Sequence, residues 1–173
     1  MVEPASNLRA LAARTFGDRV SYHEASVSEL PFRDAMFDGV LMVRVFHHLG
    51  NPEAALREIH RVIKPGGRLV FNYSNKRNIA RIPRYLVGLG GDPFSHEMEK
   101  YYESLIGHHP SHVEDMLARV GFTIREQYGV GVMDKVVERL PWLGRVMKPS
   151  LTIARLAGPF RLAPAQFIVA IKR

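Results

Sequence analysis

One stretch, residues 37–73, constrains the fold most strongly, because its pattern alternates between strand and helix. An apolar, β-branched run over Gly39–Val45 predicts a strand that is buried on both faces. A helix over Asn51–Ile63 follows, since Asn51-Pro52-Glu53 combines a capping side chain, a proline that needs no N–H and an acid at the positive end of the helix dipole. Lys64-Pro65-Gly66-Gly67 ends this helix and Leu69-Val70-Phe71 begins a second strand. The stretch therefore predicts a βαβ unit with parallel strands and a right-handed crossover.

Weaker patterns on either side of this unit predict further elements. Apolar spacing favours an amphipathic helix over Ala5–Phe16, and a short strand follows it at Val20–His23. A capping box at Ser111 predicts the start of a helix that ends at Gly121. The remaining predicted elements are a short helix over Glu97–Leu105 and strands over Phe122–Tyr128 and Gln166–Lys172.

Length and composition favour a single domain over residues 1–173, with a core of its own. The chain has no cysteine, which excludes disulfides and thiolate metal sites. No apolar run reaches membrane-spanning length and no secretory leader is recognisable at the N-terminus. We therefore expect a cytoplasmic protein.

The positive charge is concentrated at the C-terminal end of the sequence. The chain has a net charge of +7, and residues 135–173 contain eight Lys and Arg but only one acid, Glu138. Such a segment is compatible with an anionic partner such as nucleic acid or a membrane surface. It is also compatible with a solvated face that keeps the protein soluble, which is the commoner role of such segments.

The central motifs resemble a known family. FDGVLMVRVFHHL, followed by REIHRVIKPGGRLV and preceded by LPF at residues 30–32, is similar to the middle of class I S-adenosylmethionine-dependent methyltransferases of the type 11 kind. The resemblance implies an α/β fold, namely a Rossmann-like, doubly wound, mostly parallel sheet with an antiparallel edge strand. It also implies methyl transfer from S-adenosylmethionine to an acceptor, which we expect to be a small molecule.

The chain departs from this family at its N-terminus. The first strand of the family and the glycine-rich loop after it have no counterpart in the sequence, so the resemblance implies an N-terminally truncated domain. We expect such a chain to bind the cofactor poorly by itself. We also expect it to expose sheet edges that invite self-association.

The resemblance assigns cofactor-binding roles to three pairs of residues. It places an acid for the ribose hydroxyls at the N-terminus, an adenine contact in the loop before LPF, and backbone contacts to the methionine end after the first strand of the βαβ unit. A serine at the adenine position replaces the aspartate that is usual in the family. The residues are Glu3 and Pro4, Ser26 and Val27, and Val43 and Arg44.

Histidines are the only candidates for acid–base catalysis. His47 and His48 follow the first strand of the unit at its carboxyl end, where open α/β sheets bind ligands, so either could act as a general base. Each could equally pack within the turn. His108, His109 and His112 are predicted to lie in or beside a surface loop, with contact to an acceptor as the alternative, and no metal site is predicted.

Two segments, residues 76–109 and 133–163, are expected to cover the acceptor. The alternative to an enzyme is an inactive fragment or a binding module. Such a module would bind nucleic acid or a membrane surface through the basic residues 135–173.

Overall fold

A computed structural model of the protein describes residues 1–102, 105–131 and 161–173. These residues form four α-helices, six strands and two short 3-10 turns. The helices are α1 (Ser6–Phe16), α2 (Pro52–Val62), α3 (Arg81–Leu86) and α4 (Pro110–Val120). The strands are β1 (Phe37–Met42), β2 (Ile63–Asn75), β3 (Glu99–Tyr102), β4 (Leu105–His108), β5 (Phe122–Val130) and β6 (Ala165–Lys172).

The predicted βαβ unit is confirmed. Strands β1 and β2 are parallel, with Gly39 opposite Arg68 and Met42 opposite Phe71. Helix α2 connects them and begins as predicted, since the Asn51 side chain accepts a hydrogen bond of 3.1 Å from the Ala54 N–H. Its buried residues, all on the predicted apolar face apart from the proline, are Pro52, Ala55, Leu56, Ile59 and Val62.

Two glycines lie near the start of β2, shortly after α2 ends. Gly66 has a φ of +77°, which few other residues adopt. A Cβ on Gly67 would lie 2.8 Å from the Asp38 carbonyl oxygen and 2.6 Å from the Ile63 Cγ2. The chain therefore passes directly against the start of β1, and helix α2 ends one residue earlier than predicted because Ile63 is already in β2.

The strands lie in the order β3-β4-β2-β6-β5, with β1 paired to β2 as well. The parallel pairs are β1–β2 and β2–β4, and β6 pairs antiparallel with both β2 and β5. Helices α2 and α4 contact each other, and the core contains residues of both together with β2 and β6. The α/β fold with an antiparallel edge is thus confirmed, and the other edge is antiparallel as well, because β3 pairs antiparallel with β4.

The prediction that the first strand of the unit is buried on both faces is wrong. Among the described strands, β1 pairs only with β2, so its other edge is open. Leu41 is 71% exposed, and Val43 and Val45 just beyond the strand are also exposed. Strand β1 is therefore apolar but not fully buried, because it has a neighbouring strand on one edge only.

Several local predictions also need correction. Val20–His23 is not a strand, and its only sheet contact is an isolated parallel bridge between Val2 and His23. The helix predicted over Glu97–Leu105 is replaced by β3 and β4, because these residues pair with each other and with the end of β2. Helix α4 begins at Pro110, and its cap is the His109 side chain, which accepts from the Ser111 N–H, rather than Ser111 itself.

Helix α1 has nearly its predicted bounds and ends at Gly17, but none of its residues is buried, and Leu8, Leu11 and Phe16 are exposed. Residues 133–160 of the predicted 133–163 cover lie outside the described residues. In the part of the chain that the structure describes, no helix is long and apolar enough to cross a membrane.

Candidate cofactor cleft

A cleft of about 760 Å³ opens beside the free edge of β1. Its walls come from parts of the chain that are distant in sequence: Met1–Pro4, the stretch from Ser21 to Phe32, and the stretch from Met36 to Leu49. Two residues of α2, Ile59 and Val62, complete the lining. The volume and the mostly apolar lining are those of a site for a small molecule or cofactor.

Glu3 lies in the wall of this cleft, next to Pro4. Its Oε1 accepts a hydrogen bond of 3.0 Å from the Ala5 N–H at the start of α1, while Oε2 has no hydrogen-bond partner among the described residues. The Arg9 guanidinium holds the backbone here, since Nη1 donates to the carbonyl oxygens of Glu3 and Pro4, both at 2.8 Å. One carboxylate oxygen is therefore fixed and the other remains available to accept from a hydroxyl.

Ser26 and Val27 also line the cleft. The Ser26 hydroxyl oxygen accepts from the Ser28 N–H at 3.3 Å, and the Ser26 carbonyl accepts from the Glu29 N–H at 3.1 Å. These bonds close a tight turn. Among the described residues, no hydrogen bond uses the Val27 N–H, so that donor remains available beside the cleft.

The loop that follows this turn is fastened to α2 by Arg61. All five N–H donors of the guanidinium form hydrogen bonds: two to the Glu58 carboxylate, one to Asp34, and one each to the carbonyl oxygens of Leu30 and Phe32. Glu58 also accepts from the Leu30 N–H at 2.8 Å. The Arg61 side chain lowers the pKa of Glu58, and the two acids raise the pKa of Arg61.

The Arg61 network is a feature that sequence reasoning missed. The arginine lies on a helix whose exposed face carries ordinary charges, and nothing local distinguishes it from Arg57. Its five hydrogen bonds reach four residues, and three of these, Leu30, Phe32 and Asp34, lie about 30 residues earlier in the chain, so only the folded chain reveals its role.

The backbone turns sharply where β1 ends. Val43 lines the cleft, but Arg44 is not among the lining residues. Arg44 has a φ of +60°, which is uncommon for a residue with a side chain, and its N–H donates to the buried Asn72 side chain at 2.7 Å. Asn72 thus fixes the turn, and its position inside the apolar run of β2 is a sequence signal that was available.

The two candidate general bases occupy different environments. His48 is exposed and lines the cleft, whereas His47 is buried and does not. Burial lowers the pKa of His47, and the neighbouring His48 and Arg44 lower it further. Its Nδ1 has no hydrogen-bond partner among the described residues. Of the two, only His48 therefore contacts the cleft.

The prediction that His108 and His109 lie on the surface is wrong. His108 is fully buried in β4, with its ring 5.0 Å from that of Phe46, and His109 is 6% exposed. Burial is the main cause that lowers the pKa of both histidines to about 4. They are buried because β4 pairs with the end of β2. Within the described ranges, no three His, Asp or Glu side chains converge as a metal site would require.

The sequence matches a family profile described as a methyltransferase domain over residues 1–71. A ubiquinone/menaquinone biosynthesis C-methyltransferase of Hahella chejuensis is 38% identical over 64 residues, which are 36% of this chain and 26% of that enzyme. Residues 1–71 are thus similar in sequence to methyltransferase domains. The match spans about a quarter of the length of this relative.

Solved structures share the fold of the described residues. The [4+2]-cyclase SpnF has a TM-score of 0.66 at 22% sequence identity, and the match covers 99% of this chain and 64% of the SpnF chain. A Burkholderia thailandensis 1,6-didemethyltoxoflavin-N1-methyltransferase, solved with S-adenosylhomocysteine, has a TM-score of 0.61 at 18% sequence identity. The match covers 99% of this chain and 59% of that enzyme. Because one of these neighbours is a cyclase, the fold alone does not specify methyl transfer.

Proposed function

We propose that this chain carries the adenosine-binding half of an S-adenosylmethionine-dependent methyltransferase that acts on a small-molecule acceptor. The observation that supports this most directly is the cleft. Glu3, Pro4, Ser26, Val27 and Val43 come from three separate segments, and all five line the same cavity. Five of the six residues that the family resemblance singles out are therefore neighbours in space.

The residues present fit the adenosine part of the cofactor. The free Oε2 of Glu3 can accept from a ribose hydroxyl, and the Val27 N–H can donate to a ring nitrogen of adenine. Apolar side chains such as Leu30 and Leu49 supply surface for the flat base. Ser26 offers a hydroxyl where a charged acceptor is usual, although its oxygen already accepts from the Ser28 N–H.

The methionine part has less support from these residues. Among the described residues that line the cleft, Gly39 is the only glycine, and it lies within β1. Backbone contact to that end depends on the turn at Val43 and Arg44, which Asn72 fixes. The bound cofactor would supply an electrophilic methyl group. The protein's part is to orient the acceptor for in-line attack and to exclude water.

The acceptor belongs to the carboxyl end of β1. His48 is the candidate to take a proton from an acceptor hydroxyl or amine, because it alone of the paired histidines contacts the cleft. The relatives are named for a quinone and for didemethyltoxoflavin, both small molecules. We therefore propose a small, ring-containing acceptor, with the 76–109 segment contributing to its cover.

The test is saturation-transfer NMR with S-adenosylhomocysteine and with 5′-methylthioadenosine, which lacks the amino-acid part. We expect weak binding in which adenine and ribose protons receive most of the saturation. We also expect the two ligands to compete with dissociation constants within about threefold of each other, since the lost methionine contacts contribute little.

The matched variants are Glu3→Gln and Glu29→Gln. Both remove one negative charge, but only Glu3 lines the cleft. Glu3→Gln should weaken adenosine binding on the order of tenfold, as for the loss of a charged hydrogen bond, and Glu29→Gln should leave it unchanged. Absence of saturation transfer, or equal effects of the two variants, would contradict the assignment.

A further inference from the structure

The segment that leaves the end of β2 exposes a group of large apolar side chains. We define the cap patch as Tyr85, Leu86, Val87, Leu89 and Phe94. Leu86, Val87 and Leu89 are 73%, 68% and 65% exposed, which places them among the most exposed hydrophobic residues that the structure describes. Contiguous apolar surface of this kind indicates an interaction site rather than ordinary surface composition.

The cap patch is held in a defined shape by its own backbone. The N–H groups of Val87, Gly88 and Leu89 donate to carbonyl oxygens of the preceding turn at 3.3, 2.9 and 2.8 Å. The rings of Tyr85 and Phe94 meet edge to face, with centroids 6.0 Å apart. Backbone groups that are already paired can leave water at little cost.

Two buried contacts fasten this segment to the rest of the fold. Arg81 forms an ion pair with Glu99 and lies over the Tyr101 ring, 4.3 Å from its centroid. The Lys76 Nζ, which is buried, donates to the Ser95 hydroxyl at 2.7 Å. The apolar side chains therefore project from an anchored base.

Up to Asp92, the segment that carries the cap patch contains charges of one sign only. Residues 77–91 contain Arg77, Arg81 and Arg84 and no Asp or Glu. Arg81 is neutralised by Glu99, whereas the exposed Arg84 has no ion-pair partner among the described residues. Asp92 follows directly, and its side chain accepts from the Phe94 N–H. The patch thus combines exposed aliphatic side chains with unneutralised arginine.

We propose that the cap patch docks on the surface of an anionic lipid bilayer. Exposed leucine and valine can enter the boundary between headgroups and acyl chains, while Arg84 contacts anionic headgroups. A second copy of the chain fits less well as the occupant. A two-fold contact through this patch would place the arginines of both copies together, and like charges repel.

The position of the cap patch connects docking to the proposed function. The segment leaves the carboxyl end of β2, and β1, its parallel neighbour, reaches the cleft at the same end. Docking would therefore bring the acceptor side of the cleft close to the bilayer. The acceptor would then be a lipid-soluble molecule that enters the cleft from the membrane, an inference that rests on the proposed function.

The test is sedimentation of the protein with vesicles of mixed phosphatidylcholine and phosphatidylglycerol, and with vesicles of phosphatidylcholine alone. Leu89→Asp is compared with Leu11→Asp, which makes the same change at a residue on α1 that is 60% exposed. Because both variants lower the net charge equally, any difference between them reports the position and not the general attraction of a basic protein to anionic lipid.

We expect the wild type and Leu11→Asp to bind the mixed vesicles alike, and Leu89→Asp to bind on the order of tenfold more weakly, as for the loss of a leucine from the lipid boundary. Arg84→Glu should weaken binding to the mixed vesicles and not change the weaker binding to phosphatidylcholine. Val87→Asp serves as a second variant if Leu89→Asp fails to fold, as judged by circular dichroism.

No binding of the wild type to mixed vesicles, or equal binding by Leu89→Asp and Leu11→Asp, would overturn the proposal. Concentration-dependent dimerisation that Leu89→Asp abolishes would overturn it in favour of a second copy as the occupant. Vesicle binding and adenosine binding are measured separately, so failure of one is distinguishable from failure of the other.

Discussion

Arg61 is the residue whose replacement tests the architecture of the candidate site most directly. Its guanidinium joins α2 to the loop over residues 30–34, which continues from the Ser26–Val27 wall of the cleft. In Arg61→Met the aliphatic part of the side chain remains while all five hydrogen bonds are lost. The part-buried Phe32 carbonyl oxygen then loses the Arg61 donor, the Leu30 carbonyl oxygen keeps only the Phe32 N–H, and the Glu58 carboxylate loses its cation.

The expected cost follows from the kinds of bond that are lost. Hydrogen bonds to charged groups contribute about 1.5–3 kcal/mol each when shielded from water, and exposed ion pairs much less. The Arg61 side chain is 32% exposed and Asp34 is 78% exposed, so that pair contributes little. We expect Arg61→Met to lower the free energy of unfolding by about 2–3 kcal/mol, which corresponds to a fall in Tm of roughly 5–10 °C.

Arg57→Met is the matched control on the same helix. Arg57 is 61% exposed and, among the described residues, pairs only with Glu53, one turn away. Its loss should cost less than about 0.5 kcal/mol. Urea unfolding followed by circular dichroism measures both variants. Equal destabilisation by the two changes would refute the reasoning, because the loop would then not depend on Arg61.

Two further predictions concern stability. Gly67→Ala should cost about 1–3 kcal/mol because its Cβ would overlap the Asp38 carbonyl, whereas Gly50→Ala, with nothing within 4 Å of its Cβ, should cost little; urea midpoints compare the two. The pKa of His108 and of His109 is about 4, below the usual 6.5, so the unfolded chain takes up protons first as the pH falls. The contribution of these two histidines to the free energy of unfolding should be fully present above pH 6.5. It should fall by about 1.4 kcal/mol per pH unit per histidine towards pH 4. The slope should be smaller in His108→Phe, and an unchanged slope would contradict the burial argument.

The βαβ unit could be predicted from the sequence because its signals are local. The Asn51 side chain caps the helix that Pro52 begins, through a bond to the Ala54 N–H within the same turn. Gly66 has a positive φ shortly after this helix ends at Val62. The strand periodicity of β5 and β6 was likewise sufficient. These elements need no knowledge of what they pack against.

Burial could not be predicted in the same way, because it depends on neighbours that are distant in sequence. His108 is buried by Phe46 and by the end of β2, about 60 and 30 residues away along the chain, and the two adjacent histidines looked like a polar loop. Residues 99–108 have the apolar spacing of a short helix. Pairing with an available edge of β2 outweighs that weak preference.

The open edge of β1 forms part of the candidate cleft. The bridge between Val2 and His23 carries one wall, and β1 carries the other, and the described strands place no partner between them. The walls are therefore joined mainly through the loop that Arg61 holds against α2. A ligand that contacts both walls must rely on that connection for its geometry. It follows that adenosine binding should weaken in Arg61→Met by more than in Arg57→Met, even under conditions where both variants remain folded.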